Sequence, residues 1–369
     1  MAEIDELFQE LIKAGGSDLH LQQGRVPHMR VHGGVHAIEG FPELTEEKMT
    51  RMLKEICPER LWEPFMADAP DGGGDADFAY EMDKDNRFRS NFHKQHTGLS
   101  AIFRIIPTKI MTLEQLGIPS QIKRFADLRS GLVLVTGPTG SGKSTTLAAL
   151  IDFINSNYNK HIITVEEPIE FVHQSKGCVI TQREVPDHAT TFADGLRASL
   201  REDAEIVLVG EMRDLETTSL ALSAAETGML VFGTLHTNSA RKTIDRLIDV
   251  FPATQQSMVR TMLSSSLKGV VAQLLCKRAD KPGRVAVNEI LFSNPATASI
   301  IREGKTNKLT DVIVAGKSEG MQFMDDSIWD VLLKGMISPE EAYMKALDKN
   351  RFENFLPQDK KDLATVSGA

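Results

Sequence analysis

The stretch VLVTGPTGSGKST, from Val133 to Thr145, is the strongest indication of this chain's fold. Its octet from Gly137 to Ser144 matches the pattern G-x-x-x-x-G-K-[ST], in which the backbone N–H groups of a glycine-rich loop surround a diphosphate. In this pattern Lys143 reaches the β- and γ-phosphates, and the Ser144 hydroxyl binds Mg²⁺. The sequence therefore predicts a nucleotide phosphate site, formed by Gly137, Pro138, Thr139, Gly140, Ser141, Gly142, Lys143, Ser144 and Thr145.

The residues on both sides of the octet fit the same interpretation. Residues 132–135 form a continuous apolar run, which is typical of a buried strand, and residues 145–154 have the composition of a helix. A helix that begins near Gly142 directs the positive end of its dipole at a bound anion. A plain glycine-rich turn would not require this strand–loop–helix context, so the context favours a phosphate site.

From Gly131 onward, short apolar runs alternate with amphipathic helical segments. The predicted strands are LVLV, IITV, CVIT, IVLV and LVFGT, at 132–135, 162–165, 178–181, 206–209 and 230–234. This alternation predicts a doubly wound α/β domain with a mostly parallel sheet. After Pro252 the sequence predicts mostly helices, apart from the strand-like run VAVNEILF.

Residues 1–107 are predicted to form a separate α/β unit. It contains an amphipathic helix at the start, a helix at 45–57, and strand-like runs that include NRFRSNFHKQ and GLSAIFRII. The glycine-rich loop at 70–75 has no Lys, Ser or Thr for a phosphate, so a turn is predicted there. The predicted boundaries are a linker at 108–130, the nucleotide-binding domain at 131–350 and a polar, flexible tail at 351–369.

Titratable side chains follow three of the predicted strands. Glu166 and Glu170 come after IITV, Glu211 comes after IVLV, and His236 comes after LVFGT. Ligands bind at the carboxyl ends of the strands in such a sheet, so these residues are candidates for chemistry on the phosphates. Glu211 is predicted to hold Mg²⁺ through water, and a second carboxylate to orient or deprotonate the attacking water. Spacing alone does not decide between Glu166 and Glu170.

Arginines on the first unit are a further candidate group. Phosphoryl transfer is accelerated by a positive charge at the γ-phosphate. Arg87, Arg89 and Arg104 lie on predicted strands, where they would ordinarily be solvated charges. They become catalytic only if the first unit docks on a nucleotide in the same or a neighbouring subunit.

Composition narrows the class of partner. The 369 residues carry a net charge of -9, which disfavours a nucleic-acid track, and an aromatic content of 6% disfavours a DNA motor with stacking loops. The acidic start and the lack of an apolar run of about 18–20 residues predict a cytoplasmic protein. Cys57, Cys178 and Cys276 have no C-x-x-C spacing, so we expect buried thiols and no zinc site.

Nearly the full chain resembles the PilT branch of the secretion and pilus ATPases. The stretches that carry the resemblance are SDLHL (17–21), GLVLVTGPTGSGKSTTLAAL (131–150), EEPIEF (166–171), LREDAEIVLVGEMRDLET (200–217), AAETG (224–228), LVFGTLHT (230–237), KTIDRLIDVFP (242–252) and EGMQFMD (319–325). The resemblance implies a PAS-like α+β N-terminal domain and a RecA-like P-loop ATPase domain with a helical C-terminal part.

The resemblance also implies a function and partners. It describes a homohexameric motor that hydrolyses ATP with Mg²⁺ and drives type IV pilus retraction and twitching motility. Such a motor lies at the cytoplasmic face of the inner membrane, on a PilC-like platform protein. The roles that it implies are Walker A for Lys143 and Ser144, Walker B for Glu211, catalytic glutamate of the acidic box for Glu170, histidine box for His236, and phosphate sensing for Arg89 and Arg104.

The sequence departs from this family pattern at three places. Glu167 stands where the acidic box usually has Asp, Met229 stands where His usually follows AAETG, and residues 311–316 differ from the usual Ala-Ile-Arg-Ala-Gly motif. These departures favour a PilU-like paralogue or a second PilT copy, and the lack of a four-cysteine insertion favours the retraction branch. The alternative function is an accessory, weakly hydrolysing paralogue that co-assembles with the main retraction ATPase.

Overall fold

The computed structural model describes residues 2–31, 33–67, 74–84, 86–106 and 109–356. The chain divides into two units: Met1–Lys109 with Pro168–Val172, and Ile110–Glu167 with His173–Ala369. Residues 70–73 of the predicted glycine-rich turn and 357–369 of the predicted tail lie outside the described residues. Among the helices of the described part, none is both long and apolar enough to cross a bilayer.

In its described residues, the first unit is an antiparallel sheet with three helices. The helices are α1 (Asp5–Lys13), α2 (Glu46–Ile56) and α3 (Glu59–Met66), and the strands are β1 (Asp18–Gln22), β2 (His28–Val31), β3 (Gly34–Ala37), β4 (Ala76–Asp83), β5 (Asn86–Gln95) and β6 (Gly98–Ile106). The six strands lie in the order β3-β2-β1-β6-β5-β4. The predicted helices and strands of this unit are confirmed, and the structure adds α3, a helix that was not predicted from the sequence.

Aromatic side chains form the core of the first unit. Phe8 of α1 stacks on Phe88 of β5 at 3.9 Å between ring centroids and meets Phe103 of β6 edge to face at 5.1 Å. All three are fully buried. Because successive residues of a strand point to opposite faces, burying Phe88 places the next residue, Arg89, on the exposed face.

Over the part of the chain that the structure describes, the second unit is built on a seven-stranded sheet. Its strands are β7 (Gly131–Thr136), β8 (His161–Glu166), β9 (Val179–Glu184), β10 (Ile206–Val209), β11 (Leu230–Leu235), β12 (Leu267–Lys277) and β13 (Arg284–Phe292). Its helices are α4 (Lys143–Asn157), α5 (Phe192–Ser199), α6 (Leu215–Glu226), α7 (Ala240–Asp249), α8 (Ala253–Ser266), α9 (Pro295–Arg302), α10 (Leu309–Ala315), α11 (Met324–Leu333), α12 (Pro339–Lys345) and α13 (Asn350–Glu353). The order is β13-β12-β7-β11-β10-β8-β9, with β13 antiparallel and the other neighbours parallel. The predicted mostly parallel sheet is confirmed.

The prediction of mostly helices after Pro252 is wrong at β12. This strand pairs with β7 on one side and β13 on the other, which makes it an internal strand of the sheet. Gly269 allows β12 to pack closely against Phe125, since a Cβ on Gly269 would lie 2.4 Å from the Phe125 ring. The 11 residues of β12 are mostly buried and so show neither a helical nor an alternating period, which is why sequence pattern alone cannot assign them.

A buried carboxyl group connects β13 to the starts of two helices. Glu289 is 2% exposed, and its Oε1 accepts a hydrogen bond from the N–H of Ala240, the first residue of α7, at 2.8 Å. Burial raises the pKa of Glu289 to about 7, with the nearby Asp325 carboxyl adding to the rise, although hydrogen bonds from the N–H groups of Ala240 and Met324 lower it. The group is therefore near its titration point at neutral pH.

We predict that Glu289→Gln changes how stability depends on pH. The carboxyl titrates near its ordinary value of 4.5 in the unfolded chain and at about 7 in the folded one, so the folded state binds more protons between these values. The wild type should therefore lose stability relative to the variant as the pH rises through this window, by on the order of 3 kcal/mol. Unfolding of both proteins by urea at pH 5 and pH 8 measures the difference; a pH-independent difference would contradict the prediction.

Candidate nucleotide-binding site

The loop between β7 and α4 has a backbone that favours glycine at three positions. The φ angles of Gly137, Gly140 and Gly142 are 153°, 76° and 83°. A Cβ on Gly137 would lie 2.3 Å from the carbonyl oxygen of Gln273 and 2.5 Å from Ser141 Oγ. Gly142 is the N-cap of α4 and has no side chain, so no side-chain cap competes with an anion for the first N–H groups of the helix.

Lys143 and Ser141 supply polar groups inside this loop. Lys143 is 8% exposed, and its Nζ donates to the carbonyl oxygens of Gly137 at 2.9 Å and Pro138 at 3.3 Å. Ser141 is 3% exposed, and its hydroxyl has no hydrogen-bond partner among the described residues. A loop lined by glycines, with a buried ammonium and an unused hydroxyl, fits a phosphate group. We call this loop, residues 137–142, the cradle.

Glu211 and His236 lie at the same edge of the sheet as the cradle. They follow β10 and β11, and β11 pairs with β7 directly, so Glu211 is two strands, or about 10 Å, across the sheet from the loop. Glu211 Oε1 lies 3.1 Å from His236 Nε2, and Oε2 lies 2.6 Å from Arg213 Nη2. The structure thus brings Lys143, Ser144, Glu211 and His236 to one edge, as the strand-end argument predicts.

The surroundings of Glu211 keep it ionised at neutral pH. Partial burial acts to raise the pKa of Glu211, but the hydrogen bond from Arg213 and the charges of His236 and Arg213 outweigh burial and lower the pKa. An ionised carboxylate at the edge of the cradle is the ligand type that Mg²⁺ prefers. Glu211 and the hydroxyl of Ser144 are therefore the residues that could hold the metal.

The two candidate glutamates after β8 have different surroundings. Glu166 is the last residue of β8, and its Oε1 accepts hydrogen bonds from Thr164 Oγ1 at 2.7 Å and Gln182 Nε2 at 3.3 Å. Glu170 is exposed and lies in the segment Pro168–Val172, which groups with the first unit. Glu166 is thus held within the sheet, and the catalytic role of Glu170 stays a prediction.

Arg89 and Arg104 are directly opposite each other on β5 and β6 of the first unit. Both side chains are exposed, and like charges in this position destabilise a sheet unless a counter-charge is close. Asp18 of β1 supplies one, since its Oδ1 lies 2.8 Å from Arg104 Nε and its Oδ2 lies 3.7 Å from Arg30 Nε. The role of Asp18 is not visible in the sequence, because only the cross-strand register places it among the arginines.

Two hydroxyl contacts position the loop that carries His236. Thr243 of α7 is fully buried, and its Oγ1 lies 2.7 Å from Thr237 Oγ1 and 3.3 Å from Thr136 Oγ1. Thr136 ends β7 immediately before Gly137, and Thr237 follows His236. The contact between Thr136 and Thr243 joins positions 107 residues apart, so sequence spacing does not predict it.

Met229 lies at the opposite edge of the sheet from the cradle. It directly precedes β11, and its carbonyl oxygen accepts a hydrogen bond from the N–H of Gly131, the first residue of β7, at 2.9 Å. The cradle follows the other end of β7, about 20 Å away along strands of six residues. Met229 is therefore remote from the glycine-rich loop.

A glycine-rich loop between a buried parallel strand and a helix, with a carboxylate after the strand two places away in the same sheet, defines the class of P-loop ATPases. The sequence model for the family of type II/IV secretion system proteins matches residues 2–330. The chain belongs to this family.

Relatives within the family include pilus ATPases. The chain is 48% identical over 347 residues to the type IV pilus retractation ATPase PilT of Pseudomonas aeruginosa, covering 93% of this chain and 98% of that protein. It is 36% identical to the type IV pilus ATPase PilU of the same organism, covering 94% and 90%. A crystal structure of the pilus retraction motor PilT with bound ADP superposes with a TM-score of 0.87 at 39% identity, covering 96% of this chain and 99% of that one.

We predict that alanine at Gly137 and at Gly140 has different costs. Both glycines have positive φ, but a Cβ at Gly140 has nothing within 4 Å, whereas one at Gly137 meets the Gln273 carbonyl. We expect Gly140→Ala to lose about 1 kcal/mol from backbone strain and Gly137→Ala to lose roughly 3 kcal/mol, because overpacking adds to the strain. Urea unfolding of the nucleotide-free variants measures both, and equal losses would show that the close approach is not maintained in solution.

Proposed function

We propose that this chain is an ATP-hydrolysing motor that powers retraction of a type IV pilus. The main support for the proposal is the shared edge of the second unit, where the cradle of Lys143 and the Glu211–His236 pair follow three consecutive parallel strands, β7, β11 and β10. The similarity to a pilus retractation ATPase over nearly the whole chain supports pilus retraction as the work that ATP hydrolysis drives.

The chain's own residues have separate tasks in binding. Lys143 and the N–H groups from Gly137 to Thr145 bind the phosphates of ATP, and the positive end of α4 adds to their attraction. Ser144 and Glu211 are the residues that would hold Mg²⁺, Glu211 through water. When bound, Mg²⁺ neutralises charge that develops on the phosphate oxygens. His236 contacts Glu211 and keeps its carboxylate directed at this edge.

Hydrolysis requires groups that activate water and respond to the γ-phosphate. We assign the first task to Glu170, whose exposed carboxylate is available to accept a proton, whereas Glu166 is engaged by Thr164 and Gln182. Arg89 and Arg104 are proposed to sense the γ-phosphate, because a clustered positive charge stabilises the transition state. Asp18 fixes the guanidinium of Arg104.

The motor is proposed to act as a homohexamer on a PilC-like platform protein, at the cytoplasmic face of the inner membrane. A net charge of -9 supports this partner, because cytoplasmic segments of membrane proteins are rich in Lys and Arg. The accessory, weakly hydrolysing function is the second candidate, and Met229 is the observation in its favour. Its position at the edge remote from the cradle argues that the chain's own turnover does not depend on this residue.

We predict that Glu170→Gln lowers turnover by about 100-fold or more while ADP still binds, because a general base contributes roughly 10²–10⁴ in rate. Glu166→Gln is the matched control and should retain most activity. Phosphate release and ADP titration measure both variants, and Lys143→Ala identifies any contaminating ATPase. If Glu166→Gln loses the activity and Glu170→Gln does not, the assignment is reversed.

We further predict that deleting the gene leaves surface pili that are not retracted and abolishes twitching. Wild type and Met229→His should both restore motility, since Met229 lies far from the cradle, and Lys143→Ala should not. Counting surface pili by electron microscopy and measuring twitching zones tests this. An unchanged phenotype on deletion would support the accessory function instead.

A further inference from the structure

One buried side chain contacts both the cradle loop and the helix that follows it. Gln273 of β12 is 2% exposed, and its Nε2 donates to the carbonyl oxygen of Ser141 at 2.7 Å. Its Oε1 accepts a hydrogen bond from Thr146 Oγ1 at 2.8 Å. Ser141 lies within the loop and Thr146 lies in the first turn of α4, so the amide of Gln273 bridges the loop and the start of the helix.

The loop also packs directly on Gln273. A Cβ on Gly137 would lie 2.3 Å from its carbonyl oxygen, and a Cβ on Gly142 would lie 3.0 Å from its Nε2. Gln273 therefore leaves no room for a larger side chain at Gly137 and little room at Gly142, the first and last glycines of the cradle. Contacts from the backbone and from the side chain of Gln273 define the shape of the loop.

Asn288 connects Gln273 to the C-terminal helices. It is opposite Gln273 in the register of β12 and β13, and its Nδ2 donates to Gln273 Oε1 at 3.1 Å. The N–H of Asn288 donates to Ser327 Oγ on α11 at 3.0 Å, and its carbonyl oxygen accepts from Gln322 Nε2 at 3.1 Å. Two buried amides thus join the cradle to α11 and to the stretch EGMQFMD that precedes and begins it.

We propose, on the basis of the proposed ATP-binding function, that Gln273 is a positioning residue that holds the nucleotide-free loop in the shape that accepts phosphates. A loop with three positive-φ glycines has many accessible conformations once its contacts are removed. The apparent affinity for nucleotide falls in proportion to the fraction of molecules in the competent conformation. Asn288 keeps the amide of Gln273 in place and so makes this fraction depend on the packing of α11.

The test removes the amide of Gln273 without shortening the side chain. Gln273→Met should raise the Kd for ADP and the KM for ATP by about tenfold, while kcat stays within about threefold, because bound phosphates restore the loop. In the nucleotide-free protein, hydrogen exchange at residues 137–142 should be faster than in the wild type, and ADP should suppress the difference. Gln255→Met is the control, since Gln255 is an exposed residue of α8.

Thr146→Val tests the same contact from the other side. This near-isosteric change removes one hydroxyl and should raise the Kd for ADP about threefold. In the double variant with Gln273→Met, the combined increase should be smaller than the product of the two single effects, because both changes remove one shared contact. If Gln273→Met does not fold, Thr146→Val and Asn288→Leu carry the test.

The outcomes separate this inference from the proposed function. A wild type that neither binds ADP nor hydrolyses ATP overturns both. A wild type that does both, with an unchanged Kd and unchanged exchange in Gln273→Met, overturns the positioning role alone. A loss of kcat in Gln273→Met without a rise in its Kd for ADP also overturns the positioning role. If Gln273→Met does not fold, an unchanged Kd in both Thr146→Val and Asn288→Leu overturns it.

Discussion

The nucleotide site depends on the close approach of the glycine loop to β12. Gly137 has a φ of 153° and lies so near Gln273 that any Cβ would overlap the carbonyl oxygen. This approach directs Lys143 into the loop, where two carbonyl oxygens hold its ammonium group. Without the contact, the N–H groups that surround a phosphate would have no fixed arrangement, and α4 would begin in the wrong place.

The electrostatics of the site follow from the order of the strands. Parallel pairing of β7, β11 and β10 places the residues after these strands at one edge, which brings a carboxylate, an imidazole and an ammonium into the same region. Arg213 and His236 hold the pKa of Glu211 below its ordinary range despite partial burial. The carboxylate is therefore charged at neutral pH, as cation binding requires, while Lys143 supplies positive charge for the phosphates.

Much of this architecture could be predicted from local patterns. The strand–loop–helix around Gly137 and the alternation of apolar runs with helices were sufficient for the parallel sheet. The prediction failed at β12, because a doubly buried strand of mixed composition has no period that distinguishes it from a buried helix. The choice between Glu166 and Glu170 could not be made from spacing, since it depends on which neighbours bind each carboxylate. The structure shows such neighbours for Glu166 in Thr164 and Gln182.

The phosphate cradle is encoded locally, because the requirement for glycine, lysine and a hydroxyl is met within one run of eight residues. The contacts that support this cradle depend instead on long-range packing. The hydrogen bond from Gln273 to Ser141 joins residues 132 positions apart, and the one from Asn288 reaches Gln273 from the neighbouring strand. Asp18 likewise meets Arg104 across 86 positions. Such contacts arise from strand order and register, which long-range packing sets and local composition does not encode.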